Sequence, residues 1–405
     1  MKKPCKRRLL GRCAAAKFFQ SCAGKVSATS AIILMNLMNL MNLTRRPFLK
    51  TALGASLATL VARAQESPPP AKKLGWALVG LGSLSDHQIA PAFAKCQHSQ
   101  LAAIVTGTPE KAIKWREKYA LAADKVYSYE TFDKIIDDPA IDVVYIVLPN
   151  GMHHEFTLRA AKAGKHVFCE KPMANSAKEC REMIAACETA KRQLGIGYRC
   201  RFEPHHLEAI RFAREQVFGR LHHVDAGFGF AIGDPKQWRL RKTLAGGGAM
   251  MDVGVYALQA CRYLTGEEPL EVTALETKTD PVKFAEVDET ITWSMKFPSG
   301  VTSNCLTTYR FNGREDFTAY AANGRFGMKP CYGYDGLAGW TSDPKIPLAF
   351  PATDHFAAEM DAFSAAILKE KPFEPSGVEG LRDLLVIEAI YRSIASGKVE
   401  AVGKV

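Results

Sequence analysis

Residues 75–96 constrain the fold more than any other stretch. Gly75 to Val79 reads as a buried strand and runs straight into Gly80-Leu81-Gly82-Ser83-Leu84-Ser85. A helical pattern then continues to about Cys96. Two glycines of a G-x-G-x-x-G turn are present, and Ser85 takes the third place. Gly80 permits the tight turn, and Gly82 lets backbone approach a pyrophosphate at the helix N-terminus. A small residue at 85 still allows the helix to pack close to the strand. The motif alone is weak, and its place between a strand and a helix strengthens it. The alternation then goes on. Strands are expected over 101–105, 143–148, 166–169 and 194–198, with helices over 129–137, 154–163 and 177–193. This is the βαβα rhythm of a parallel, doubly wound sheet.

The second strand ends in Thr106-Gly107-Thr108, where an NAD site would place an acid for the ribose 2′-hydroxyl. None is present. Two threonine hydroxyls stand there instead, with Lys111 one turn on. A 2′-phosphate would be repelled by an acid and paired by a lysine, so the residues favour NADP.

The 405-residue chain carries 53 Lys and Arg against 42 Asp and Glu. Twelve of those basic residues, and no acid, fall in 1–64, leaving 41 basic and 42 acidic residues in 65–405. The positive surplus therefore belongs to an N-terminal segment and excludes a nucleic-acid surface. Thr44-Arg45-Arg46-Pro47-Phe48-Leu49-Lys50 resembles a twin-arginine export motif. A weakly apolar stretch and Ala62-Arg63-Ala64 follow, so residues 1–64 are read as a leader and Gln65 as the mature N-terminus. Met35, Met38 and Met41 are alternative starts. Residues 65–73 form a proline-containing linker. Periplasmic export by the twin-arginine route is expected, with no stable membrane insertion after cleavage. Of 11 cysteines, eight follow residue 64 and read as small buried hydrophobes. No Cys/His cluster has metal spacing, and no metal is expected.

Three segments end predicted parallel strands, where such sheets bind ligands. They are Pro149-Asn150-Gly151-Met152-His153, Glu170-Lys171-Pro172 and Gly197-Tyr198-Arg199-Cys200-Arg201-Phe202. With the glycine loop, Gln237-Trp238-Arg239-Leu240-Arg241 and Gly246-Gly247-Gly248-Ala249-Met250-Met251-Asp252, they resemble the Gfo/Idh/MocA family over residues 74–396. These are two-domain NAD(P)-dependent oxidoreductases of sugars and cyclitols. The likeness is nearest to the periplasmic glucose–fructose oxidoreductase branch.

That resemblance implies Tyr256 as proton donor and acceptor, where most of the family carries His. It implies Lys171 as the residue that places the sugar oxygen, and Asp252 as the one that orients substrate or Lys171. It also implies a cis Lys171–Pro172 bond aiming Lys171 into the cleft. Tyr198 and Arg201 would join Lys171, Asp252 and Tyr256 around the substrate. Gly80, Gly82, Ser83, Leu84, Thr106, Lys111, Leu148, Asn150, His153, Glu170, Lys171, Arg199, Trp238 and Arg239 would hold the cofactor. Asp252 and Tyr256 stand four apart on a predicted helix and so share a face. A phenol is too weak an acid to serve as base at neutral pH, and Lys171 is the expected cation that lowers its pKa.

After residue 220 the pattern changes to strands over 223–231, 271–277, 289–297, 301–309 and 317–321, with Pro298-Ser299-Gly300 as a hairpin turn. The expected fold is therefore α/β. A Rossmann domain (74–197) precedes an α+β domain (198–375) with a large, mostly antiparallel open sheet, whose face also suits pairing with a second copy. Residues 332–352 read as irregular and without a role. Helices over 354–369 and 378–396 are expected to pack back on the first domain, the second of them as a separate terminal element (376–396). Function divides three ways. The first is an oxidoreductase that oxidises an aldose to its lactone and reduces a second sugar with tightly bound NADP. The second is an NADP-dependent aldose 1-dehydrogenase with exchangeable cofactor, and the third a non-catalytic sugar-binding protein.

Overall fold

The computed structural model describes residues 72–405. The leader, its cleavage site and linker residues 65–71 lie outside the described residues.

The parallel sheet contains β1 (Leu74–Val79), β2 (Ser99–Val105), β3 (Val126–Tyr127), β4 (Val143–Ile146), β5 (His166–Glu170) and β6 (Leu194–Gly197). Their order is β3-β2-β1-β4-β5-β6, every pair parallel. The order reverses between β1 and β4, so a crevice opens beyond the carboxyl ends of those two strands. β1 and β4 are buried at every position, as strands covered on both faces must be. The crossovers are α1 (residues 85–95), α2 (Pro109–Lys118), α3 (His153–Lys162) and α4 (Ala177–Thr189). α4 starts on a side-chain cap: Ser176 accepts from Glu179 N, and the Glu179 carboxylate reaches back to accept from Asn175 N. The helix expected over 129–137 shrinks to a 3-10 turn, Phe132–Asp137. Its inward residues Phe132 and Ile135 are three apart, and Pro139 stops the turn from continuing.

After α5 (Pro204–Arg214) the chain builds the second sheet from β7 (Leu221–Gly229), β8 (Glu271–Thr277), β9 (Thr290–Lys296), β10 (Thr302–Thr308), β11 (Arg314–Ala321), β12 (Gly324–Met328), β13 (Gly339–Thr341) and β14 (Glu400–Ala401). Its order is β13-β12-β11-β7-β10-β9-β8-β14. All pairs are antiparallel except β7 with β10, which the intervening α6 (Val255–Thr265) allows to run the same way. One face packs on α6. Residues alternate buried and exposed along β9, leaving the other face open. Residues 332–352 are largely irregular, as expected, but they include the short β13, and Tyr332–Tyr334 line the cleft, so they are not without a role.

The last two helices hold the layers together. α7 (His355–Leu368) lies on the parallel sheet. Trp76 of β1 meets Phe93, Tyr145, Phe168 and Phe363 edge-on, with centroids 5.6–6.0 Å away, and its indole N–H donates to Ser364 Oγ at 3.0 Å. Each such ring pair adds about 0.5–1.5 kcal/mol beyond the area it buries. α8 (Gly377–Ser396) lies between the two sheets' layers. Its Glu388 accepts from Ala177 N of α4, and its Ser393 accepts from Ala274 N of β8.

Candidate active site

A cleft of about 630 Å³ occupies the crevice, walled by the glycine loop on one side and by aromatic residues of the second sheet on the other. Gly80 has φ +92°, and a Cβ there would lie 2.3 Å from Val147 O, so two independent constraints require glycine. A Cβ on Gly82 would meet nothing within 4 Å, which leaves its backbone open to the cleft. Ser85 is fully buried and donates to Gly80 O at 2.5 Å, fixing the turn. Asp86, the acid in the first turn, is paired with Lys118 at 2.6 Å, so its charge at the helix start is countered. Thr106, Thr108 and Lys111 line the end of β2, with Lys111 exposed at the rim. This cradle fits a dinucleotide.

The reactive end is built by the helical segment that precedes β8. A π-turn over Met250–Gly254 runs into α6, widening the helix where Asp252 leaves it. Gly248 must be glycine because a Cβ would lie 1.9 Å from Asp288 O. The Asp288 carboxylate then accepts from Gly248 N (2.6 Å), Met250 N (2.8 Å) and the Tyr391 hydroxyl (2.7 Å), anchoring the segment's entrance. Asp252 Oδ2 accepts from Arg239 Nε and from the Tyr309 hydroxyl, each at 2.9 Å. Lys171 Nζ donates to the Asp252 carbonyl at 2.8 Å and stands 3.8 Å from its Oδ1. Burial alone would raise the Asp252 carboxyl. Arg239, Lys171 and the Tyr309 hydroxyl outweigh it and hold the group below its ordinary value. The Lys171–Pro172 bond is cis.

The Tyr256 ring lies under two cations, with Lys171 Nζ 4.7 Å and the Arg199 guanidinium 5.1 Å from its centroid. Phe228 and Tyr332 complete its surroundings. The expectation that a cation would lower this phenol's pKa is corrected here. Burial is the largest influence and raises it. Arg199, not Lys171, is the principal opposing charge, and it does not prevail. Tyr256 therefore keeps its proton.

Of the residues expected at the site, Gly80, Gly82, Ser83, Leu84, Thr106, Lys111, Leu148, Asn150, Glu170, Lys171, Arg199, Trp238, Arg239, Asp252 and Tyr256 all line the cleft. Three do not. His153 is fully buried, its ring nitrogens 2.8 Å from Leu148 O and 3.0 Å from Pro172 O, so it braces two strand-end loops from behind. Tyr198 donates to Asp383 Oδ2 of α8 at 2.6 Å, on the side away from the substrate. Arg201 stacks its guanidinium 4.6 Å from the Tyr263 ring centroid. Sequence reasoning missed Tyr309, Asp288 and the Tyr332-Gly333-Tyr334 segment. The last is held by Arg199, which donates to the Tyr332 and Gly333 carbonyls.

The family model described as "Oxidoreductase family, NAD-binding Rossmann fold" matches residues 74–198, and the "GFO/IDH/MocA C-terminal domain" matches 206–327. A solved aldose-aldose oxidoreductase from Caulobacter crescentus, in complex with glycerol, is 46% identical with a TM-score of 0.79. The match covers 82% of this chain and 100% of that one. A D-xylose 1-dehydrogenase [NADP(+)] from Haloarcula marismortui is 27% identical over 342 residues, 81% of this chain and 93% of that protein. A levoglucosan dehydrogenase solved with NADH and levoglucosan shares the fold, with a TM-score of 0.71 at 24% identity over 82% of this chain and 100% of that one.

Proposed function

The chain belongs to the Gfo/Idh/MocA oxidoreductase family, and from that premise we propose that it moves hydride between two sugars through a retained NADP. It oxidises an aldose to its lactone and reduces a second sugar to an alditol. The observation that carries this reading is the Lys171–Asp252–Tyr256 cluster at the mouth of a dinucleotide cradle with no acid at the end of β2. The likeness to an aldose-aldose oxidoreductase supports two sugars over one.

NADP, when bound, takes up and returns the hydride. The chain's own residues handle the proton and the placement. Lys171 offers an N–H to the sugar oxygen while Asp252, held by Arg239 and Tyr309, orients that lysine. Tyr256 begins protonated and gives its proton to the carbonyl being reduced. The phenolate so formed lies against Lys171 and Arg199, ready to take the hydroxyl proton of the next aldose. Two half-reactions in one site thus restore both the cofactor and the tyrosine.

Export supports retention. In a periplasm a diffusible nicotinamide would be lost, so a cofactor loaded before twin-arginine transport would have to be recycled in place. The open face of the second sheet would suit pairing of two copies. A second reading, an aldose 1-dehydrogenase with exchangeable NADP, is favoured by the likeness to an NADP-dependent xylose dehydrogenase. Denaturing the purified mature protein distinguishes them. Release of stoichiometric NADP, with lactone and alditol formed in equal amounts and no added cofactor, is expected. A protein that carries none and turns over only with added NADP refutes retention. Sugar binding without turnover under either condition refutes the enzyme.

A further inference from the structure

Behind the cleft, β5 ends in Glu170 and α7 brings Glu359 to the same point. The two carboxyls meet at the hydroxyl of Tyr145 on β4, 2.9 Å from Glu170 Oε1 and 3.4 Å from Glu359 Oε1. Tyr145 and Glu359 have no exposure, and Glu170 shows only 7%. A phenol has one proton to give, and the shorter contact assigns it to Glu170. Glu359 Oε2 has no hydrogen-bond partner, which disfavours its ionised form and puts the proton on Glu359 in the resting state. A Cβ on Gly197 would lie 3.1 Å from Glu170 Oε1, so backbone closes the remaining side.

The charges facing the pair are few. Lys171 and Arg199 favour ionisation of Glu170, and Arg199 favours that of Glu359. Cys200 and the other carboxyl oppose it for Glu359. Burial is the largest influence on both and lifts both above the ordinary glutamate range, Glu359 the further. Two carboxyls joined through one hydroxyl in such surroundings cannot both ionise.

We propose that Glu170 and Glu359 share one proton through the Tyr145 hydroxyl, and that Glu359 is a positioning residue that sets the charge Glu170 presents to the cleft. The proton moves without other bond changes. The Glu359 O–H breaks as Tyr145 Oη accepts, and the Tyr145 O–H breaks as Glu170 Oε1 accepts. One negative charge passes from Glu170 to Glu359, whose ionisation Arg199 favours. Glu170 is among the charges that raise the Tyr256 phenol, so its neutralisation eases loss of the Tyr256 proton. Only this last consequence rests on the sugar-oxidoreductase reading.

The test is infrared spectroscopy of the mature protein as purified, beside E359Q and Y145F. Gln is isosteric with a neutral Glu and preserves the packing. At neutral pH the wild type is expected to show a protonated-carboxyl stretch that E359Q lacks and that Y145F shifts to higher frequency. A wild-type minus E359Q difference without that band overturns the proposal. In turnover, the pH limb of aldose oxidation is expected to move up by half a unit or more in E359Q at unchanged Tm, and an unmoved limb overturns the positioning role. If the wild type turns over no sugar, the functional reading fails while the infrared result still stands or falls alone.

Discussion

Removing one hydroxyl, in Tyr309→Phe, tests the electrostatics of the cleft with little disturbance to packing. Tyr309 is 2% exposed, and Phe fills the same volume. What disappears is one of two donors on Asp252 Oδ2, at 2.9 Å; Arg239 Nε remains. A hydrogen bond to a buried charged group is worth about 1.5–3 kcal/mol. Each pKa unit corresponds to about 1.4 kcal/mol, so the Asp252 carboxyl should rise by about 1–2 units from its depressed position. The sign follows. The wild-type carboxylate persists to low pH, whereas the variant protonates sooner on acidification, weakens its 3.8 Å ion pair with Lys171, and loses turnover at a higher pH. The assay is kcat/KM for aldose oxidation against pH. The acid limb should move up by about 1–2 units while the rate on the plateau changes less than the rate on the limb. A limb within 0.3 unit of wild type, in a variant of unchanged Tm, would refute the claim that Tyr309 helps keep Asp252 ionised.

Tyr256→Phe should lower turnover by about 10²–10⁴-fold with NADP content unchanged, read by single-turnover fluorescence; near-normal turnover removes Tyr256 from the chemistry. Gly80→Ala should cost about 1–2 kcal/mol for the positive φ alone, before the clash with Val147 O. Calorimetric titration should find NADP binding weakened at least tenfold, and wild-type affinity would show that the turn does not cradle the cofactor. Stability should also report the buried Glu203–His206 pair, 2.8 Å apart. Burial would raise Glu203, but His206 and His205 hold it down to about 2, so its contribution exists above the ordinary 4.5 and is lost as pH falls toward 2. Burial would lower His206, but the Cys200 sulfur and Glu203 raise it to about 9, so its contribution is complete below 6.5 and fades as pH rises through 9. The Tm gap between wild type and His206→Asn should therefore be widest between pH 4.5 and 6.5; a gap that widens toward alkaline pH contradicts this.

Local chemistry made much of this site legible. Gly80 and Gly82 announce themselves because a turn between a strand and a helix leaves few alternatives. Glu170-Lys171 and Asp252…Tyr256 sit at strand and helix ends, where direction is set by backbone periodicity. Nearness to a strand end does not fix orientation, and His153 and Tyr198 point away from the cleft. Successive residues there point to opposite sides, and Tyr198 turns toward Asp383 on α8. Tyr309, Asp288 and Tyr332–Tyr334 carry no local signal at all. Tyr332–Tyr334 reach the cleft because the chain after β12 folds back over Arg199, while Tyr309 and Asp288 brace its wall through Asp252, Gly248 and Met250, placements of sheet order that no spacing encodes. The Tyr256 phenol failed differently. Counting cations predicts an easy deprotonation, and only the depth of burial reverses the sign.

The bond from Trp76 to Ser364 has a bearing on when this molecule comes into being. The first strand of the parallel sheet is completed by a helix 288 residues downstream. At synthesis rates of about 5–20 residues per second, β1 waits roughly 15–60 s for its partner. Until then the edge of its tryptophan that meets Phe363 and Ser364 is uncovered, and the wall behind Glu170 is missing. The dinucleotide cradle is therefore finished only when nearly the whole chain has been made. Loading is a property of the completed polypeptide, so a truncated product ending before α7 would carry every glycine of the cradle and still lack the back wall that shapes its cleft.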